Sequence, residues 1–122
     1  MAEHVYDSSD SCTGKSVAQE PLEYSIYSLL KKYQITITTA ESATGGMIAS
    51  TLINVPGISE FFTEGYVTYS NEAKVKMIHV APETIDTYGV VSSETAADMA
   101  SSAAKTAGTM AAVSVTGVAG PD

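Results

Sequence analysis

Three stretches carry residue types that can do chemistry. The first is Thr39-Ala40-Glu41-Ser42-Ala43-Thr44-Gly45-Gly46, set between a β-branched run and a run with helical spacing. A serine in a strand-to-helix turn lies beside the unpaired N–H groups of a first helical turn, and glycines let a ligand approach the backbone closely. Such a turn suits an anion or an oxyanion, with Ser42 as nucleophile. The same pattern also reads as a plain helix start, in which Ser42 or Thr44 is a cap and Gly45 and Gly46 permit a tight turn.

The second stretch is Tyr69-Ser70-Asn71-Glu72-Ala73-Lys74. With Asn71 as N-cap, Lys74 falls at the third helical position, where the helix dipole disfavours an ammonium. A partly buried lysine there has a lowered pKa and can serve as a general base for a serine. The competing readings are a solvated Lys74 paired with Glu72, and Tyr69 as an ordinary packed aromatic. The third stretch, Thr116-Gly117-Val118-Ala119-Gly120-Pro121-Asp122, follows an apolar strand and reads either as a ligand-binding loop or as a plain connection.

These stretches need a scaffold, and the spacing of apolar residues predicts one. Pro21 opens a helix marked by Leu22, Ile26, Leu29 and Leu30 and closed by Lys31-Lys32. Residues 35–39 read as a strand and 44–53 as a helix with Ile48, Leu52 and Ile53 inward. Residues 65–70 read as a second strand, and residues from Asn71 through Ile78 and 82–88 as short helices. Ser92 or Ser93 caps a longer helix from Glu94 to about Ala107, its inner face built of Ala96, Met99, Ala100, Ala103 and Ala107. Residues 110–115 form a third strand. Alternating strands and helices predict an α/β fold.

Composition narrows the function. The 122 residues hold 14 acidic residues against 6 lysines, with no arginine and a net charge of −8. Without clustered cations the chain is a poor partner for nucleic acid. Cys12 is the one cysteine, and His4 and His79 are the two histidines, so no metal site is expected. No apolar run approaches the ~20 residues that span a bilayer. No membrane partner is therefore expected, and a cytoplasmic location is. Residues 1–20 read as a flexible acidic arm and 21–122 as one domain.

Taken together, the sequence resembles the CinA C-terminal domain family, the nicotinamide-nucleotide amidases. The matching motifs are residues 39–46, Val55-Pro56-Gly57, residues 69–74, Gly89-Val90-Val91-Ser92 and residues 116–122, in the family's order. The resemblance implies a three-layer α/β/α sandwich with a mixed, partly parallel sheet, and a homodimer. It implies hydrolysis of the carboxamide of nicotinamide mononucleotide to nicotinate mononucleotide and ammonia, with no metal or cofactor. Ser42 takes the nucleophile's place, Lys74 the base's, and Tyr69 stands beside them. Glu41, Thr44, Gly45, Gly46, Asn71, Thr116, Gly117, Ala119 and Gly120 are implied as contacts to the nucleotide substrate. The family usually has cysteine at the place of Ala43, and it continues beyond Gly-Pro-Asp. The domain is therefore expected to lack C-terminal elements. The alternative reading is a non-catalytic nucleotide-binding module, or an inactive fragment of such an amidase.

Overall fold

The central strand determines the arrangement of everything around it. In the computed structural model, which describes residues 20–118, β1 (Ile37–Glu41) is buried along its whole length. It pairs in parallel with β2 (Gly65–Val67) on one side and with β3 (Ala111–Val115) on the other, giving the order β2-β1-β3. Thr39 stands opposite Gly65, and Glu41 stands opposite both Val67 and Val115. Parallel strands require crossover helices, and these cover both faces of the sheet.

One face carries α1 (Leu22–Tyr33), α2 (Met47–Leu52) and a 3₁₀ turn (Ile58–Glu60). Its core joins Leu30, Ile37, Leu52, Val55, Ile58, Phe61 and Phe62. The other face carries α3 (Asn71–Ile78), α4 (Pro82–Tyr88) and α5 (Ser93–Ala107). There Ala40, Ile78, Val80, Met99 and Ala103 pack together. The expected α/β/α layering is thus observed, and the three described strands are all parallel. The expected acidic arm, apart from Glu20, lies outside the described residues, as do Ala119 and Gly120.

Several element boundaries differ from the sequence reading. β1 begins and ends two residues later than expected. The Ile35 N–H is taken by the Leu30 carbonyl, which finishes α1, whereas Ala40 and Glu41 pair on both sides. Tertiary pairing here overrides the low strand preference of Ala and Glu. α2 starts three residues later than expected, because Gly45 and Gly46 have φ of +60° and +108°, outside the helical region. Ile53 lies past its end and is exposed, not inward. On α1, Leu22 and Leu29 are also exposed, and Tyr27 joins Ile26 and Leu30 against the core. α5 buries Thr95 with Met99 and Ala103, while Ala96, Ala100 and Ala107 are half-buried. Thr95 lacks the apolar character that the pattern sought, and its hydroxyl is satisfied by the Gly89 carbonyl at 2.6 Å.

Gly65 sets how closely β2 approaches β1. A Cβ added there would stand 2.5 Å from Thr39 Oγ1 and 3.1 Å from Phe62 Cζ. Overpacking of this kind costs about 1–3 kcal/mol. Gly65→Ala is therefore expected to lower the unfolding free energy by an amount in that range, read as a lower urea midpoint at unchanged slope; an unchanged midpoint would contradict the packing described.

Candidate functional site

The site forms where the C-terminal ends of the three parallel strands meet, the edge at which open α/β sheets hold ligands. Successive strand residues point to opposite faces. Glu41 addresses the α2 layer, and Ser42 addresses the α3 layer. The Ser42 N–H donates to the Val115 carbonyl at 3.0 Å, and the Thr68 N–H donates to the Glu41 carbonyl at 2.8 Å. The turn after Ser42 closes through the Gly45 N–H to the Ser42 carbonyl at 3.0 Å. The nucleophile candidate is thus held by the main chain of β3, and the residue before it by Thr68, just past β2.

Lys74 comes from the first turns of α3. The side chain of Ser70 caps this helix by accepting the Ala73 N–H at 3.0 Å. The expected cap, Asn71, is instead the first helical residue, because the chain leaves β2 after Val67 and turns one residue earlier. Lys74 therefore lies at the fourth helical position. Its side chain runs inward and is 1% exposed. Nζ lies 3.2 Å from Ser42 Oγ and donates to the Thr68 carbonyl at 2.9 Å. Ser42 is itself only 6% exposed. Burial holds the Lys74 pKa below the ordinary lysine value, and among the described residues no carboxylate offsets that effect. A neutral amine has two N–H donors and one lone pair. One N–H meets the Thr68 carbonyl, and the lone pair is free to accept the Ser42 hydroxyl proton.

Glu41 is fully buried and is occupied by its own chain. Oε1 accepts the Thr44 hydroxyl at 2.6 Å, the Gly46 N–H at 3.2 Å and the Ile48 N–H at 2.9 Å; Oε2 accepts the Ala49 N–H at 2.8 Å. Burial alone would raise its pKa, but these donors together outweigh it and leave the carboxyl below its usual value. The N–H groups at the start of α2 are consequently not open to an external anion, contrary to the sequence reading. The amides of Ala43 and Thr44 donate to no acceptor among the described residues.

The remaining expected residues lie as follows. Tyr69 is 67% exposed, between Thr68 and the Ser70 cap, and no hydrogen bond joins its hydroxyl to Ser42 or Lys74 among the described residues. Asn71 is exposed and lines a surface cleft between α3 and α4 with Lys76 and Asp86. Thr44 also borders an apolar cleft between α1 and α2 with Leu22 and Met47. The Thr116 hydroxyl donates to the Val90 carbonyl at 2.8 Å, tying the loop after β3 to the segment before α5. Gly117 faces Ala43, since a Cβ added to it would stand 3.9 Å from the Ala43 Cβ. Two partners were missed by the sequence reading: the carbonyls of Thr68 and Val115. Main-chain acceptors leave no signature in residue type. Among the described residues no group of three or more His, Cys, Asp or Glu side chains is placed to hold a metal ion, and no helix is long and apolar enough to cross a membrane.

The fold and site define a class: an α/β domain whose parallel sheet brings a buried lysine against a serine at its C-terminal edge. The profile of the CinA C-terminal domain matches residues 19–122, and the chain belongs to that family. It is 53% identical over 105 residues to a CinA-like protein of Kosmotoga olearia, covering 86% of this chain and 26% of that protein. Among solved structures, a CinA superfamily protein from Escherichia coli superposes with a TM-score of 0.79 at 35% identity, covering 82% of this chain and 58% of that one. A competence/damage inducible protein from Agrobacterium tumefaciens gives a TM-score of 0.75 at 42% identity, covering 83% and 61%. The chain thus spans about a quarter of the length of that curated relative.

Buried Lys74 has a consequence for stability. From its lowered folded-state pKa up to 10.5, the unfolded chain binds a proton on this lysine that the folded chain does not. Stability therefore rises with pH across that window, with a contribution approaching about 1.4 kcal/mol per pH unit. Lys74→Met is expected to lose this slope in urea titrations run at successive pH values. An identical slope in the two proteins would mean that Lys74 is not desolvated.

Proposed function

We propose that the domain hydrolyses a carboxamide through a Ser42–Lys74 pair, with nicotinamide mononucleotide as substrate and nicotinate mononucleotide and ammonia as products. The observation that carries the reading is the 3.2 Å approach of Lys74 Nζ to Ser42 Oγ with both groups buried and, among the described residues, no carboxylate offsetting the lysine. The choice of substrate rests on the family resemblance; the serine–lysine chemistry itself would serve other amides.

Ser42 Oγ attacks the carboxamide carbon while its proton passes to Lys74 Nζ. The carbonyl oxygen becomes an oxyanion, for which the Ala43 and Thr44 amides are the nearest candidate donors along the chain. The tetrahedral adduct collapses as the Lys74 ammonium returns its proton to the leaving nitrogen, which departs as ammonia. Water then attacks the Ser42 ester with Lys74 again accepting the proton. The carboxylate product leaves, and the serine hydroxyl is restored. The Thr68 carbonyl keeps the amine oriented through both proton transfers. Gly117, which faces Ala43, and Thr116 before it are assigned to the border of the bound nucleotide. Tyr69, exposed at the rim, is assigned to substrate contact.

Ammonia release from nicotinamide mononucleotide tests the reading. Ser42→Ala and Lys74→Ala are each expected to lower kcat by about 10³-fold or more, as removal of members of a hydrolytic unit does. In the parent protein, kcat/KM is expected to rise with pH through the lowered Lys74 pKa, since only the free amine accepts a proton. Equal rates for the parent and Ser42→Ala would remove the serine mechanism. Nucleotide binding in calorimetry without ammonia release would favour a binding module.

A further inference from the structure

We propose that Glu41 is a positioning residue for the nucleophile turn, acting through Thr44 and the start of α2, and not a contact to substrate. The inference rests on the Ser42–Lys74 reading and assigns Glu41 a task within it. Its two carboxylate oxygens take four donors, all from residues 44–49. No atom of the side chain reaches the surface. A substrate group therefore has no access to it.

The donors are placed to fix Ser42. Thr44 and Gly46 bracket the end of the turn that Ser42 opens, and the Gly45 N–H closes that turn on the Ser42 carbonyl. Ser42 is already held on the strand side by Val115. The Glu41 carboxylate is the side-chain tie on the helix side. It fastens α2 to β1 and so sets the direction of the Ala43 and Thr44 amides. The charge suits the place, because an anion at a helix start is favoured by the dipole and by charge-assisted donors. It also keeps substrate anions away from these N–H groups, so a nucleotide phosphate must find its donors elsewhere.

Glutamine at this position keeps the size but replaces one acceptor oxygen with an NH₂ group, which then faces main-chain N–H groups. The turn should shift, and a misplacement of about 1 Å can cost about 10²-fold in rate. The readout is labelling of the full chain by a fluorophosphonate, which forms a P–O bond to an activated serine and expels fluoride. Ser42→Ala supplies the background. Glu41→Gln is expected to label about ten- to a hundred-fold more slowly than the parent, with the folded fraction established separately by thermal unfolding. Thr44→Val, which removes the hydroxyl donor and leaves the helix amides in place, is expected to slow labelling by a smaller factor. A merely structural role would lower the melting temperature and leave the labelling rate of folded protein unchanged, and that result would overturn the inference. If Glu41→Gln does not fold, Thr44→Val decides by the same criterion. A parent chain that labels no faster than Ser42→Ala removes the Ser42–Lys74 reading and this inference with it. A labelled parent with an equally labelled Glu41→Gln removes this inference alone.

Discussion

The site depends on one constraint: the alternation of side chains at the end of a fully buried strand. β1 is covered on both faces, so Glu41 and the residue after it must enter opposite layers. Glu41 enters the α2 layer and meets the start of that helix. Ser42 enters the α3 layer and meets Lys74. A shift of one residue in the register of β1 would exchange the two and destroy both contacts. The pairing that prevents such a shift runs along both sides of the strand, from Ile37 opposite Ala111 to Glu41 opposite Val67 and Val115.

Two buried ionisable groups, Glu41 and the Lys74 that meets Ser42, lie in opposite layers of the sheet, and the protein resolves their burial in opposite ways. Glu41 keeps its charge because a hydroxyl and three main-chain N–H groups replace the water it has lost. Lys74 receives a carbonyl and a hydroxyl but, among the described residues, no counter-charge, so burial favours the neutral amine. Environments that push apart the pKa values of neighbouring groups are a recurring basis for acid–base chemistry. The proposed division of labour follows: the carboxylate shapes the turn, and the amine, its charge disfavoured by burial, lies 3.2 Å from the serine hydroxyl.

Much of this was legible in the sequence. The β-branched run before Ser42, the Gly-Gly pair after it and the capping residues Ser70-Asn71 before Lys74 located three elements and the two residues that meet. The layered α/β fold followed from the alternation of strands and helices. What the sequence could not express was set by tertiary pairing. Ala40 and Glu41 have weak strand preference, yet double-sided pairing draws them into β1. Ser70 and Asn71 are both good caps, and the point at which β2 ends selects Ser70. Glu41 reads as a ligand contact because its motif surrounds the nucleophile; its burial and its four internal donors are set by the fold and leave no mark in residue type. The carbonyls of Thr68 and Val115 belong to the main chain, so no residue type announces them.

The central claim is that Lys74 reaches Ser42 as a free amine. Heteronuclear NMR of the lysine ε-positions, with Lys74→Met used for assignment, measures this directly in the intact chain. The Lys74 resonance is expected to titrate below the ordinary lysine value, and Ser42→Ala to leave it lowered, because burial and not the hydroxyl is the cause. A Lys74 resonance that titrates together with the surface lysines would contradict it.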